Sequence, residues 1–597
     1  MLRLPARSTA RRGVQRSQTA SLPAPVGGWN VRDPLAAMSP VDAIVLENWF
    51  PKASSVELRP GAVASVSGFA PAAPPLTLMA WNGGASEKLF AATADGIYDV
   101  TTVATVGPSL IALSDGYVQS VNFEAAGGQY LLAVNGADAL RLFDGTTWRA
   151  IGAGTGAIAS GTAAGVLATI TTADPHNLLS GDGVTIAGAT PGAYNGTYTV
   201  TVTAPDAFTY TAGAAPGGPM TVLGTWTYGG IGITGLPTSQ LAGIAVSCQR
   251  VWFVEKDALS AWYLPVGQIG GALTEFPVGQ VFPRGGRLIA IGTWTIDGGD
   301  GSDDYTVFVS SGGELAVYKG TDPSNAATFG KVGVYYVGEP LGRNCLCKYG
   351  GDLLVLCQNG LFPLSKALQS AVINRAAALT AKIDTAFTEA ASLYGQNPGW
   401  QAVVYPGGNL LLVNIPVTGA YTLQYVMNTI TGSWCVFSGL FASSWLVFGG
   451  KLHFASDTKI ARAWEGTSDF GAAIVGKAQQ AYTAFGVASR QKHVKLVRPL
   501  INVDGSVTLQ MGFDVDYAAN SFASVTNATV ALGYAWDGAS TKWDEVTWAA
   551  DTEAKRDWAT VAAREGYVMA FRMQVSTTSV QIKWSATDFA LESGGVL

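Results

Sequence analysis

The apolar and polar positions of this chain fall into short runs separated by turns, and the stretch from Gly399 to Trp434 shows the pattern most clearly. Asn409-Leu-Leu-Leu-Val-Asn-Ile415 is an apolar run bounded by Pro406-Gly-Gly408 and Pro416. Tyr421-Thr-Leu-Gln-Tyr-Val426 then alternates bulky with smaller or polar positions, and Asn428-Thr-Ile-Thr-Gly432 turns the chain into Trp434-Cys-Val-Phe437. Short β-rich runs punctuated by Gly, Pro and Asn predict antiparallel strands joined by tight turns.

The same unit, an apolar run, a turn and a second run carrying an aromatic, recurs at six other places. Taking Lys88, Gln129, Cys248, Tyr305, Gly351, Gly408 and Gly450 as starts, the spacings are 41, 119, 57, 46, 57 and 42. Setting aside residues 153–228 reduces the long interval to 43. Four-stranded blades repeating at roughly 40–50 residues are the signature of a β-propeller. The expected fold is therefore all-β: a degenerate β-propeller of about seven units over 71–152 and 229–477.

Three segments depart from the repeat. Residues 153–228 open with a small-residue linker and continue as Thr-rich runs alternating at period two, with turns at Asn195-Gly196 and Pro205-Asp206, which predicts an inserted small β domain. In 366–394, Leu368, Val372, Leu379, Ile383, Phe387 and Tyr394, with Ala376 and Ala390 filling in, recur at three- and four-residue steps, predicting one amphipathic helix. Five or more strand-like runs after residue 478 predict a C-terminal β-sandwich over 478–597.

Composition sharpens this picture. With 73 Gly, 17 Trp and 13% charged residues, the chain reads as turn-dense and β-rich. Lys and Arg total 36 against 42 Asp and Glu. The first twenty residues hold five arginines (Arg3, Arg7, Arg11, Arg12, Arg16) and no acid, so the remainder stands at 31 against 42, or −11. An acidic body is a poor nucleic-acid clamp, because affinity for phosphate comes from Lys and Arg. Residues 1–25 are expected to be a flexible basic arm that lacks the apolar core of a secretory signal. Five cysteines form no disulfide framework and read as reduced and packed in strands.

Residues 26–70 form the expected docking segment. It contains Gly28-Trp29-Asn30-Val-Arg32-Asp33-Pro34, then Ala43-Ile-Val-Leu46-Glu-Asn48-Trp49-Phe50-Pro51, then Arg59-Pro-Gly61. Ser39 with Pro40 and Asp42 predicts a short helix toward Asn48. These words resemble the N-terminal segment of the nozzle proteins of short-tailed bacteriophages, the tail tubular protein B family. Two further stretches are similar to wording in the same family: Tyr405 to Pro416 with Val426-Met-Asn428-Thr-x-Thr-Gly-x-Trp434, and Trp584-x-x-Thr-Asp-Phe589 with Glu592-Ser-Gly-Gly595.

The resemblance implies a non-enzymatic virion protein of a phage tail, assembled as a ring of about six copies around a DNA-ejection channel. Its implied partners are the tail adaptor and portal proteins, tail fibres or spikes, the phage DNA passing without specific binding, and the host surface at the tail tip. Trp29, Asn30, Arg32, Asp33, Trp49, Arg59, Asn428 and Trp434 are the residues expected to hold and dock the structure. A carbohydrate-binding or carbohydrate-active surface propeller is the alternative class.

His176, His453 and His493 are widely separated, and Cys345-x-Cys347 has no second pair at zinc spacing. Gly230-Ile-Gly-Ile-Thr-Gly235 matches a dinucleotide fingerprint by letter but opens no helix. Asp297, Asp300, Asp303 and Asp304 cluster in a loop as a calcium candidate, without EF-hand spacing. No cofactor is expected.

Overall fold

The computed structural model describes residues 18–297, 302–367, 375–419, 421–505, 507–518, 526–530, 553–555, 558–560 and 565–593. The chain divides into two compact units: Val63–Gln424 with Leu440–Ala463, and Met1–Ala62 with Tyr425–Gly439 and Trp464–Leu597.

The first unit is a β-propeller of seven blades. Their first strands are Thr77–Asn82, Gln119–Ala125, Leu241–Ser247, Leu288–Asp297, Leu346–Tyr349, Gln401–Tyr405 and Ser444–Phe448. These strands neighbour one another around a closed circuit, with the fourth-to-fifth step made through Asp352–Cys357. All seven starts read from the sequence fall on or beside the second strand of a blade: Glu87–Ala92, Gly128–Val134, Arg250–Glu255, Ser302–Ser310, Asp352–Cys357, Leu410–Pro416 and Lys451–Ser456.

The reason is physical. A second strand is covered on both faces by adjacent blades, so it is written as a continuous apolar run, whereas outer strands alternate. Leu131, Leu132 and Ala133 are buried in succession, as are Val251, Trp252 and Phe253. Clusters between blades complete the packing: Trp81, Phe90, Leu131, Phe143 and Trp148 join the first and second, and Trp252, Phe308 and Phe329 join the third and fourth. The ring is closed by Ala62–Ser67, the outer strand of the seventh blade beside Lys459–Ala463. There the Ser65 hydroxyl donates to the Ile460 carbonyl at 3.0 Å.

Residues Thr155–Tyr228 form a seven-stranded sheet inserted after the second blade, with its own core of Ile170, Val184, Tyr194, Phe208 and Trp226. The single helix predicted over 366–394 is not continuous. Leu364–Ala367 is one turn, Arg375–Ala377 and Leu379–Ile383 are 3-10 turns, and the α-helix proper is Asp384–Tyr394. Buried Thr380 accepts the Leu361 N–H at 3.2 Å, tying the turns to the third strand of the fifth blade. That bond, made where a fourth strand would pair, competes with helix continuation. Phe387, Ala390 and Ala391 form the buried face of the remaining helix, with buried Ile383 at the end of the preceding turn.

The second unit is a β-sandwich. One sheet runs Trp434–Phe437, Asp42–Glu47, Ile474–Gln480, Met569–Thr577, Val507–Val515 and Thr526–Val530. The other contains Trp49–Pro51, Val56–Leu58, Ile582–Ser593 and Lys492–Val503. Phe513 and Phe571 of the first sheet pack on Phe589 of the second with centroids 5.7 and 5.6 Å apart.

This architecture corrects three expectations. The segment taken as 26–70 is not separate from the sandwich, because Asp42–Glu47 lies inside one sheet and Trp49–Leu58 at the edge of the other. The flexible arm expected over 1–25 ends earlier: Gln18–Pro23 is a strand paired with Ala586–Leu591, and residues 1–17 lie outside the described residues. The helix expected after Ser39 is the strand Asp42–Glu47, whose register with Lys477–Gln480 supplies ladder partners that Ala43-Ile-Val-Leu46 can use.

Candidate functional site

The sequence-selected residues gather in the sandwich unit. Asn30 is fully buried, and its Oδ1 accepts the N–H groups of Arg32 and Asp33 at 3.1 Å each. Its Nδ2 donates to Asp33 and Asp42 at 2.8 Å, so all four bonds are made and the turn is locked. Arg32 lies outside, paired with Asp33 at 2.8 Å, a contact that raises its pKa. Trp29 donates to the Ile44 carbonyl at 3.1 Å and meets Tyr425 edge-on at 5.1 Å.

Arg59 is the centre of the second group. Its Nε donates to Asn48 Oδ1 at 2.8 Å, and its two terminal nitrogens donate to Asp469 at 2.9 and 2.6 Å. The Pro60 and Ser438 carbonyls take the remaining N–H groups at 3.0 and 2.8 Å. Asn48, held at φ 59°, is saturated too: its Nδ2 reaches Ser438 Oγ and the Val475 carbonyl. Trp49 packs on Trp584 at 5.9 Å, and Phe50 on Trp464 at 5.2 Å. Asn428 donates to the Pro51 carbonyl at 2.9 Å and accepts Ile430 N–H, while Trp434 is fully buried. The start and end stretches that carry the resemblance, and the Val426–Trp434 part of the middle one, thus meet in one packed centre, while Tyr405–Pro416 lies in the propeller unit. Asp469 and Ser438, which complete it, carry no sequence signal, because nothing local marks a residue whose partner lies hundreds of positions away.

The axial space of the propeller unit is the second candidate. At its mouth a cavity of about 470 Å³ is lined by the loops entering the blades, with Asp115, Glu255, Asp257, Glu339, Arg287 and Arg343 among its walls. Arg343, just before the fifth blade, donates to the Asn135 carbonyl at 3.1 Å and to Ala242 at 3.4 Å. Those acceptors belong to the second and third blades, so the side chain straps the axis. Gln119 of the second blade answers by donating to Arg343 O and Asn344 Oδ1 at 2.9 and 3.2 Å. Burial, with Asp115 beside it, raises the Tyr117 phenol. Below the strap the axial space holds about 270 Å³.

Acidic turn residues elsewhere in the ring are structural. Asp138 accepts from the Ser114 N–H and hydroxyl and from Asn135. Burial alone would raise its carboxyl, but those bonds and Arg141 hold it below the usual range.

Among the described residues the remaining candidates do not assemble into a site. Among the described residues no group of three His, Cys, Asp or Glu gathers that could hold a metal ion. Of the calcium candidates, Asp300 lies outside the described residues, as do the side chains of Asp297 and Asp303; the Asp304 carboxylate accepts the Thr295 hydroxyl at 2.7 Å. His176 lies in the loop between Leu167–Thr172 and Gly183–Ala187, His453 in Lys451–Ser456 and His493 in Lys492–Val503, and burial pushes the Cys345 and Cys347 thiols up to about 12 and about 11. Gly230–Gly235 contains the two-residue strand Ile233–Thr234, paired with Gly271–Ala272, and the next element is the single 3-10 turn Thr238–Gln240, not an α-helix.

Comparison with known proteins adds fold-level neighbours. No family model matches the chain, and no curated protein matches it. The crystal structure of Saccharomyces cerevisiae Sqt1 is similar at 10% identity and a TM-score of 0.33, over 67% of this chain and 98% of that one. A putative 6-phosphogluconolactonase from Bacteroides uniformis is similar at 10% identity and a TM-score of 0.26, over 61% and 92%. The Neurospora crassa Pan2 WD40 domain is similar at 9% identity and a TM-score of 0.25, over 67% and 95%.

Proposed function

We propose that this chain is a structural subunit of a short viral tail, a nozzle-type protein that assembles as a ring of about six copies below an adaptor and portal and serves as a conduit for DNA ejection. The observation that carries this reading is the convergence around Arg59. Of the stretches that resemble the nozzle family, 28–61, the Val426–Trp434 part of the middle one and Trp584 in the last include residues that saturate and pack on one another, while Tyr405–Pro416 belongs to the propeller unit. Shared wording at mutually supporting residues is harder to reach by chance than wording scattered over unrelated surfaces.

Two further features fit the role. The axial space of a single propeller is strapped by Arg343 and holds only about 270 Å³ below the strap. A duplex whose major groove alone is about 12 Å wide would need a channel formed between copies. The body's charge of −11 outside the first twenty residues disfavours phosphate binding, which keeps passing DNA mobile. Ring closure by identical copies suits a conduit. In this reading the work is mechanical: the propeller is a rigid wall and the sandwich centre fixes the docking segment.

The test is immunolabelling of virus particles from the source with antibodies to residues 153–228, followed by negative-stain microscopy. Label at the end of a short tail is the expected result. Particles bearing the protein nowhere, or only on the capsid, would overturn the assignment.

A further inference from the structure

The inserted module has an unusual surface. Residues 153–228 contain sixteen threonines and no Lys, Arg or Glu. Of the three aspartates, Asp182 is buried and paired with Arg149 at 2.8 Å, which leaves Asp174 and Asp206 at the surface. Such a face has no electrostatic hold on phosphates or anionic lipid.

Strand register arranges the threonines. Thr155 pairs with Thr227, Thr227 with Thr185, and Thr185 with Thr197, so four neighbouring strands each place one exposed threonine in a single row. The Thr185 and Thr197 hydroxyls lie 2.8 Å apart. At a strand spacing of about 4.8 Å the row is about 14 Å long and offers a methyl and a hydroxyl at each step. Cross-strand threonine pairs also stabilise a sheet, so the row alone is no site.

An independent feature adjoins it. Thr155 also lines a cleft of about 730 Å³ between the module and the second blade. Arg141 stands on the blade side, and Asp174, His176, Asn177 and Trp226 on the module side. His176 is held within the module: its Nδ1 accepts the Leu178 N–H at 3.0 Å, and burial lowers the ring's pKa against backbone hydrogen bonds at Ala207 and Ala204. The Trp226 indole N–H, in a residue only 4% exposed, has no acceptor in the protein. The Asp174 carboxylate and the Asn177 amide offer acceptors and donors of the kind that sugar hydroxyls satisfy, while the Arg141 guanidinium is engaged by the Ala139 and Ala112 carbonyls.

We propose that this cleft binds an uncharged saccharide chain, which continues over the threonine row. The inference stands apart from the tail assignment, because it rests on the module and the second blade alone.

The test uses the full chain on immobilised oligosaccharides, neutral glucose-, galactose-, mannose- and N-acetylglucosamine-based chains beside sialylated, sulfated and uronic-acid chains. Retention on at least one neutral chain is expected. Asp174→Ala combined with Asn177→Gly should weaken it by about tenfold, the cost of two lost hydrogen bonds. Glycine suits the Asn177 backbone at φ 54°. Thr185→Lys, on the exposed row, should weaken binding of longer chains more than of disaccharides, with an unchanged melting curve for each variant. Binding to charged chains only, binding to none, or neutral-chain binding untouched by these substitutions would overturn the proposal. Loss of self-association in Thr185→Lys without any saccharide binding would overturn it too, by assigning the face to a second copy of the chain.

Discussion

Arg59 and Asp469 stand 410 positions apart and form a two-pronged ion pair at 2.9 and 2.6 Å, with side chains 1% and 10% exposed. A buried charge pair is costly to assemble and far costlier to break, because the partner left behind has no water to turn to. Arg59→Met should therefore lower unfolding free energy by about 3–5 kcal/mol, read from urea denaturation. The double variant Arg59→Met with Asp469→Leu should recover part of that loss. Equal losses in the single and double variants would show that packing, not the stranded charge, sets the cost.

Gly28 makes the same centre sensitive to a single methyl group. It sits at φ +83°, and a β-carbon there would lie 2.7 Å from both the nitrogen and the oxygen of the Trp434 backbone. Gly28→Ala combines left-handed strain with overpacking and should cost about 3 kcal/mol, measured by thermal unfolding. A neutral effect would mean the Trp434 strand can withdraw.

The axial strap predicts a local effect. Arg343→Ala removes the donors that reach Asn135 and Ala242 across the propeller axis. Global stability should fall by only about 1–2 kcal/mol, since the arginine lies at a solvated mouth. Amide hydrogen exchange at Gln119 and its neighbours should accelerate selectively. Exchange rising equally in all seven blades would show that the strap holds the ring together rather than capping it.

Buried thiols set an alkaline limit. Burial pushes Cys345 and Cys357 up to about 12, from 9.0 in the unfolded chain. Between those values the unfolded chain releases protons that the folded one keeps. Stability is thus fully present below about pH 9 and falls by about 1.4 kcal/mol per pH unit per thiol as pH rises toward 12. Denaturation midpoints at pH 8 and pH 10.5 should differ accordingly, and the difference should shrink in a Cys345→Ala, Cys357→Ala variant. Both thiols should resist iodoacetamide at pH 8 unless urea is present.

Much of this architecture is local information. The β class, the seven second strands with their spacing and the Thr-rich module can each be read in windows of ten to forty residues, because burial on both faces writes a continuous apolar run and burial on one face an alternating one. The words Asn48-Trp49-Phe50-Pro51 and Arg59-Pro-Gly61 were legible as structural. What they hold was not. That Arg59 answers Asp469, that Gln18–Pro23 is a strand against Ala586–Leu591, and that Thr380 stops a helix by bonding to Leu361 depend on which distant segment supplies a partner. A buried polar group must find that partner somewhere in space, and its own neighbours in sequence do not record where. Periodicity therefore determined most of the strands, and the tertiary structure decided where the 366–394 helix breaks and which elements satisfy one another.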